Sequence, residues 1–121
     1  MLAMEIVVGI VCVPLFALGV MAVFMPAKMS ESVHMSPIGA AGLNEIRGVF
    51  GGFFLACVAM IATGLASGET VWFLAVAVLM GAAAASRVGW IVVDGVKAVV
   101  PPLMIELVIG GVMVGAHFAL N

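Results

Sequence analysis

Arg47, Arg87, Asp94 and Glu106, with Asn44 and Glu45 just ahead of the first, are the side chains of this sequence with the most chemistry to offer. Two guanidinium groups among three carboxylates have three uses. They neutralise one another as an ion-pair network, they hold an anionic group in a planar fork of N–H donors, or they pass a proton through a carboxylate such as Glu106. Their surroundings make each charge costly to keep. The 121 residues are 66% hydrophobic and 8% charged, with no tyrosine, and the mean hydropathy is +1.42. Such a chain cannot cover itself with a water-compatible surface, which places it in the membrane class as a single domain over residues 1–121. A net charge of -2 with four scattered basic residues leaves no stripe to track phosphates, so nucleic acid is not an expected partner.

Four apolar stretches, about 5–24, 47–65, 71–93 and 103–120, are each expected to cross the bilayer as a helix. An 18-residue helix rises about 27 Å against a hydrocarbon core of roughly 30 Å. Alternation of period two is absent, and lipid forbids unpaired backbone groups. Met25-Pro26 ends the first helix, Gly64 with Ser67-Gly68 the second and Asp94-Gly95 the third, while Pro101-Pro102 starts the fourth. Residues 27–43 form the long connection, as an interfacial loop or short surface helix. The expected fold is therefore all-α, an integral membrane antiparallel four-helix bundle threaded up-down-up-down. Lys28 and Lys97, with Arg47 and Arg87 close behind, put all the basic residues on the side of loops one and three. The positive-inside rule makes that side cytoplasmic and both termini external.

That threading brings the start of helix two, the end of helix three and the start of helix four to one face. The five charges converge there. With these boundaries Arg87 lies about 9 Å inside the end of helix three and Glu106 about 6 Å inside helix four. Arg47 and Asp94 each have the wrong sign for their own helix terminus, so they are expected to meet, leaving Glu106 for Arg87. Asn44 reads as the N-cap of helix two. Gly48, Gly51, Gly52, Gly81, Gly89, Gly111 and Gly115 are the expected helix-packing positions. Their GxxxG-type spacing lets backbones approach closely within the bundle, or against another chain if a stripe is left outside.

Other signals are weaker. Met21, Met25 and Met29 recur at helical spacing and superficially resemble a soft Cu(I) site, but ten methionines in so apolar a chain read as packing. Cys12 and Cys57 both fall in apolar spans without a CxxC or an activating base. His34 and His117 are expected on opposite sides of the membrane. Trp72 and Trp90 near the two ends of helix three read as interface anchors. No Ser-His-Asp arrangement, phosphate loop or zinc spacing is present, so the reading leans away from an enzyme and includes no metal and no cofactor.

The segment Asn44-Glu45-Ile46-Arg47-Gly48-Val49-Phe50-Gly51-Gly52 resembles the N-E-x-R-G-x-aromatic-G-G start of helix two in the DUF4345 family of small bacterial four-helix membrane proteins. Arg87 followed by Asp94-Gly95 resembles that family's second motif, and Glu106 its acidic position in helix four. The resemblance spans about residues 44–115. It implies the four-helix fold, a bacterial inner membrane and these key positions, and it implies no activity. The expected role is a non-enzymatic accessory or oligomer-forming subunit whose partners are the lipid bilayer and either its own copies or a larger membrane complex. The alternative is lipid-headgroup or small-molecule binding, or proton-coupled transport, through Arg47, Arg87, Asp94 and Glu106. Transport calls for a carboxylate at mid-membrane, and the helix boundaries above put no acid there.

Overall fold

The computed structural model describes residues 1–121, and every regular element in it is helical. Helix α1 is Leu2–Phe24, α2 is Pro26–Ser32 and α3 is Gly39–Glu45; a π turn, Ile46–Gly51, leads from α3 into α4, Gly52–Ser67. Helices α5, Val71–Asp94, and α6, Val96–Leu120, complete the chain. With Gly39–Ser67 taken as one continuous run, 4 helices are long and apolar enough to cross a membrane.

The chain breaks where its backbone chemistry demands. Pro26 has no N–H to offer the carbonyl of Ala22, so α1 stops at Phe24 and the proline opens α2, where that missing donor costs least. Gly68, at φ +76°, closes α4 by bonding its N–H to the Gly64 carbonyl at 3.0 Å. Gly95 is the only residue between α5 and α6, and its φ of +90° is one that a side chain would strain.

Two boundaries differ from the sequence expectation. The helix expected to start at Arg47 starts at Gly39 instead, so Asn44 is an interior residue of α3 and caps nothing; the capping position is Ile38, without a side-chain bond. Ile38 is extended, and beyond it Ala40, Ala41 and Leu43 are good helix formers, while Gly42 among them weakens the helix without ending it. The fourth long helix starts at Val96, so Pro101 and Pro102 lie inside it rather than at its head. The donors they lack would have served the carbonyls of Lys97 and Ala98, both exposed residues in the first turn, where unpaired carbonyls are cheapest.

The chain divides into two compact units, one of residues Gly9–Ala59 and the other of Met1–Val8 with Met60–Asn121. In the Gly9–Ala59 unit, Ala22, Met29 and Ile46 form a buried apolar cluster, with Leu18, Met21, Val33, Phe50 and Phe54 packed on it. Met21 and Met29 are thus packing residues, and Met25 is exposed. Gly19 lies against Leu55 and Gly51 against Val23. Partner numbers fall from 55 to 51 as α1 advances from 19 to 23, so this part of α1 runs antiparallel to the π turn and the start of α4.

The other unit is organised by α5 and α6. Helix α5 turns Phe73, Val76, Met80 and Ala84 inward, and α6 turns Val99, Leu103, Ile109, Met113 and Ala116 inward. Thr70 pairs with His117, Met80 packs over Gly110 and Arg87 meets Glu106, a descending register that makes α5 and α6 an antiparallel hairpin. Gly64 admits the ring of Phe73 beside it.

The glycines sort differently from their spacing. Gly51 is a close-packing position, since a Cβ there would sit 2.7 Å from Val23 Cγ2, and Gly115 lies in ordinary contact with Met4. Gly48, Gly52, Gly81, Gly89 and Gly111 instead face open space, whereas Gly19 and Gly64, absent from the expected set, are closely packed. A GxxxG pattern puts two glycines on one face without saying which way it points. The π turn also changes the angular step across residues 46–51 and brings Gly51 inward.

Adjacent glycines should therefore respond oppositely to the same change. Gly51→Ala should destabilise the protein by about 1–3 kcal/mol through overpacking, while Gly52→Ala should be neutral or stabilise it by up to about 1 kcal/mol through helix propensity. Unfolding in mixed micelles measures both.

Candidate functional site

Arg87 and Glu106 face each other across the α5–α6 hairpin, Arg87 Nε donating to Glu106 Oε1 at 2.7 Å. The arginine side chain is 41% exposed and that of Glu106 only 12%, so the pair is rooted in the hairpin and opens at the guanidinium. The contact uses one prong of the arginine fork. The two terminal amino groups of Arg87 make no hydrogen bond within its unit, and Glu106 Oε2 is buried without a partner. A carboxylate oxygen denied both water and a donor is a costly arrangement.

The early start of α6 moves Glu106 along its helix. It is ten residues beyond Val96 in a helix of 25, which is about 15 Å from the start rather than the 6 Å expected. An acid therefore does lie close to the middle of the fourth long helix. Arg87 lies seven residues, about 10 Å, before the end of α5.

Arg47 has a different task. In the first turn of the π segment it donates from Nε to the carbonyl of Val23 at 3.2 Å. That carbonyl belongs to the last turn of α1, where the Pro26 break leaves acceptors unmatched and the helix dipole favours a cation. Arg47 thus caps α1. Glu45 is exposed and lines an apolar cleft of about 290 Å³ with Met35, Pro37, Gly42, Ile46, Val49 and Phe50. Asn44 is exposed on α3, and Asp94 is exposed in the last turn of α5 with no side-chain hydrogen bond or ion pair within its unit. Of the charged residues expected to converge, the hairpin joins Arg87 to Glu106; Asn44, Glu45 and Arg47 belong to the Gly9–Ala59 unit.

At the far end of the hairpin Thr70 Oγ1 and His117 Nδ1 are 3.0 Å apart, and His117 stacks edge-on with Phe118. Thr70 is buried at the head of α5 and His117 lies in the last turn of α6. Reading the sequence missed this pair, although an antiparallel hairpin about Gly95 brings those two positions level. Trp72 points its Nε1 into the protein without an acceptor, unlike Trp90, which is 62% exposed. No group of three or more His, Cys, Asp or Glu side chains converges to hold a metal ion.

The family model described as Domain of unknown function (DUF4345) matches residues 3–117, and the chain belongs to that family. No curated protein and no solved structure matches the chain.

Removing one member of the Arg87–Glu106 pair strands the other. Arg87→Ala should destabilise the protein by about 2–3 kcal/mol, between the cost of losing an exposed pair and that of breaking a fully buried one, because the arginine is part-exposed. Arg87→Met combined with Glu106→Leu should recover most of that loss. Thermal unfolding of the single and double variants in one detergent checks both signs.

Proposed function

We propose that this member of the DUF4345 family is an integral membrane protein with four crossings threaded up-down-up-down, acting as a non-enzymatic, oligomer-forming subunit of a bacterial inner membrane. Its termini are periplasmic and the loop around Lys28 and the turn before Lys97 are cytoplasmic, as the distribution of basic residues argues. The membrane placement draws support from how little of each apolar helix is covered. Only 22% of the most apolar window in each of the four long helices is buried, so the protein's outward surface is itself apolar.

The observation that carries the oligomer reading is a run of small side chains on the outer face of α5, between the bulky exposed Val78 and Trp90. Exposed positions on α5 include Gly81, Ala82, Ala85, Ser86 and Gly89, a run of small side chains, with Gly81 and Gly89 opening on empty space. Exposed positions on α6 include Met104, Ile105, Leu107, Val108, Val114 and Phe118, the bulky profile suited to lipid tails. Small residues on an outer face let another backbone approach, and van der Waals packing is the main force between helices in lipid. In this reading the Arg87–Glu106 bond fixes the register of α5 on α6 and so holds the small face in shape.

Native mass spectrometry of protein extracted into nanodiscs tests the proposal. The wild type should appear as a defined oligomer or with a bound partner chain, and Ala85→Leu should raise the dissociation constant about tenfold or more. A wild type that is monomeric without a partner contradicts it.

A further inference from the structure

A buried acceptor without a partner and an open donor fork of opposite sign meet at the Arg87–Glu106 pair. Glu106 Oε2 is buried without a donor. The two terminal amino groups of Arg87 lack an acceptor within their unit, on a side chain that is 41% exposed. We propose that this pair is a binding site for one proton together with one monovalent carboxylate, the proton taken by Glu106 Oε2 and the carboxylate held by the outward fork of Arg87.

The two ligands are coupled by charge balance. Without ligand the pair is neutral, guanidinium against carboxylate. Loaded, it is neutral again, since Glu106 is a carboxylic acid and the guanidinium faces the bound anion. A proton alone leaves a net positive centre, and an anion alone leaves a net negative one. Near the middle of an apolar helical hairpin either costs far more than both together. No rearrangement of the existing bond is needed, because Oε1 keeps the hydrogen bond from Arg87 Nε while the proton comes from solution to the other oxygen. Nothing larger than a proton fits at an oxygen already enclosed by protein.

The chemistry of the anion follows from its recognition site. Two amino groups of one planar guanidinium match the two oxygens of a carboxylate. The neighbouring outward residues are apolar, Val88 at 53% and Ile105 at 55% exposed, so the carboxylate should carry an apolar body. From α5 the group facing Glu106 is Arg87. The other ionisable groups of the hairpin are distant from the pair: Asp94 is seven residues beyond Arg87, Lys97 nine before Glu106 and His117 eleven after it. Glu5 of α1 lines the small cleft beside Thr70, at the opposite end of the hairpin, and the Met60–Ser67 part of α4 has no ionisable side chain.

This goes beyond the subunit proposal and rests only on its apolar setting, so the test uses the full-length protein in detergent and follows oligomeric state separately by native mass spectrometry. Benzoate is titrated calorimetrically at several pH values, in buffers of different ionisation heat, to count the protons taken up. Wild type should take up about one proton per benzoate, with affinity falling about tenfold per pH unit of increase. Glu106→Gln, a neutral mimic of the protonated acid, should bind benzoate at least as tightly with no proton uptake and no pH dependence, and Arg87→Gln should not bind. Benzoate-induced infrared difference spectra should show a protonated carboxyl band in wild type that is missing in Glu106→Gln. No binding by folded wild-type protein, binding without proton uptake, or an unchanged pH dependence in Glu106→Gln overturns the proposal, whatever the oligomeric state.

Discussion

A nearly buried glutamate is tolerated in an apolar hairpin because a part-exposed arginine on the facing helix neutralises it. The 2.7 Å bond between Arg87 Nε and Glu106 Oε1 places two particular turns of α5 and α6 opposite each other. A slip by one turn would leave the nearly buried Glu106 carboxylate without its guanidinium, so electrostatics enforces a register that interchangeable aliphatic side chains specify weakly. Gly95 makes that register attainable. A single residue with φ +90° reverses the chain and sets α6 against α5 from their first shared turn. The packing of Met80 over Gly110 and the Thr70–His117 bond then continue the same alignment to the far end.

The same economy explains Arg47. Pro26 interrupts α1 and leaves carbonyls without partners, and the arginine reaches one of them while meeting the negative end of the helix. Gly51, one turn further on, keeps the backbones close beside Val23. The two arginines therefore do different work. One completes the hydrogen bonding of a broken helix, and the other neutralises an acid that sits deep in a long one.

Much of this architecture was legible in the sequence because lipid-like composition restricts the choices. The four apolar runs, the Met25-Pro26 break and the Gly68 and Gly95 turns all follow from helix length and backbone chemistry. The Arg87 to Glu106 pairing was reached only by elimination, after Arg47 had been assigned to Asp94, whereas Arg47 in fact bonds the Val23 carbonyl. Boundaries set by polar composition were less secure. Asn44 looks like a cap, but nothing between Gly39 and Asn44 stops a helix. Pro101-Pro102 looks like a start, but their missing bonds fall on exposed first-turn carbonyls, so α6 begins earlier and Glu106 lies deeper. Glycine spacing revealed that close approach occurs without revealing on which face, and no local pattern announces a π turn.

Solid-state NMR on the protein in lipid bilayers tests the central interaction most directly. With nitrogen label at arginine Nε and carbon label at glutamate Cδ, dipolar recoupling should show one strongly coupled nitrogen–carbon pair that disappears in Arg87→Lys and persists in Arg47→Lys. If no such pair is seen in wild type, or if it vanishes only when Arg47 is replaced, then Arg87 and Glu106 do not hold the hairpin together.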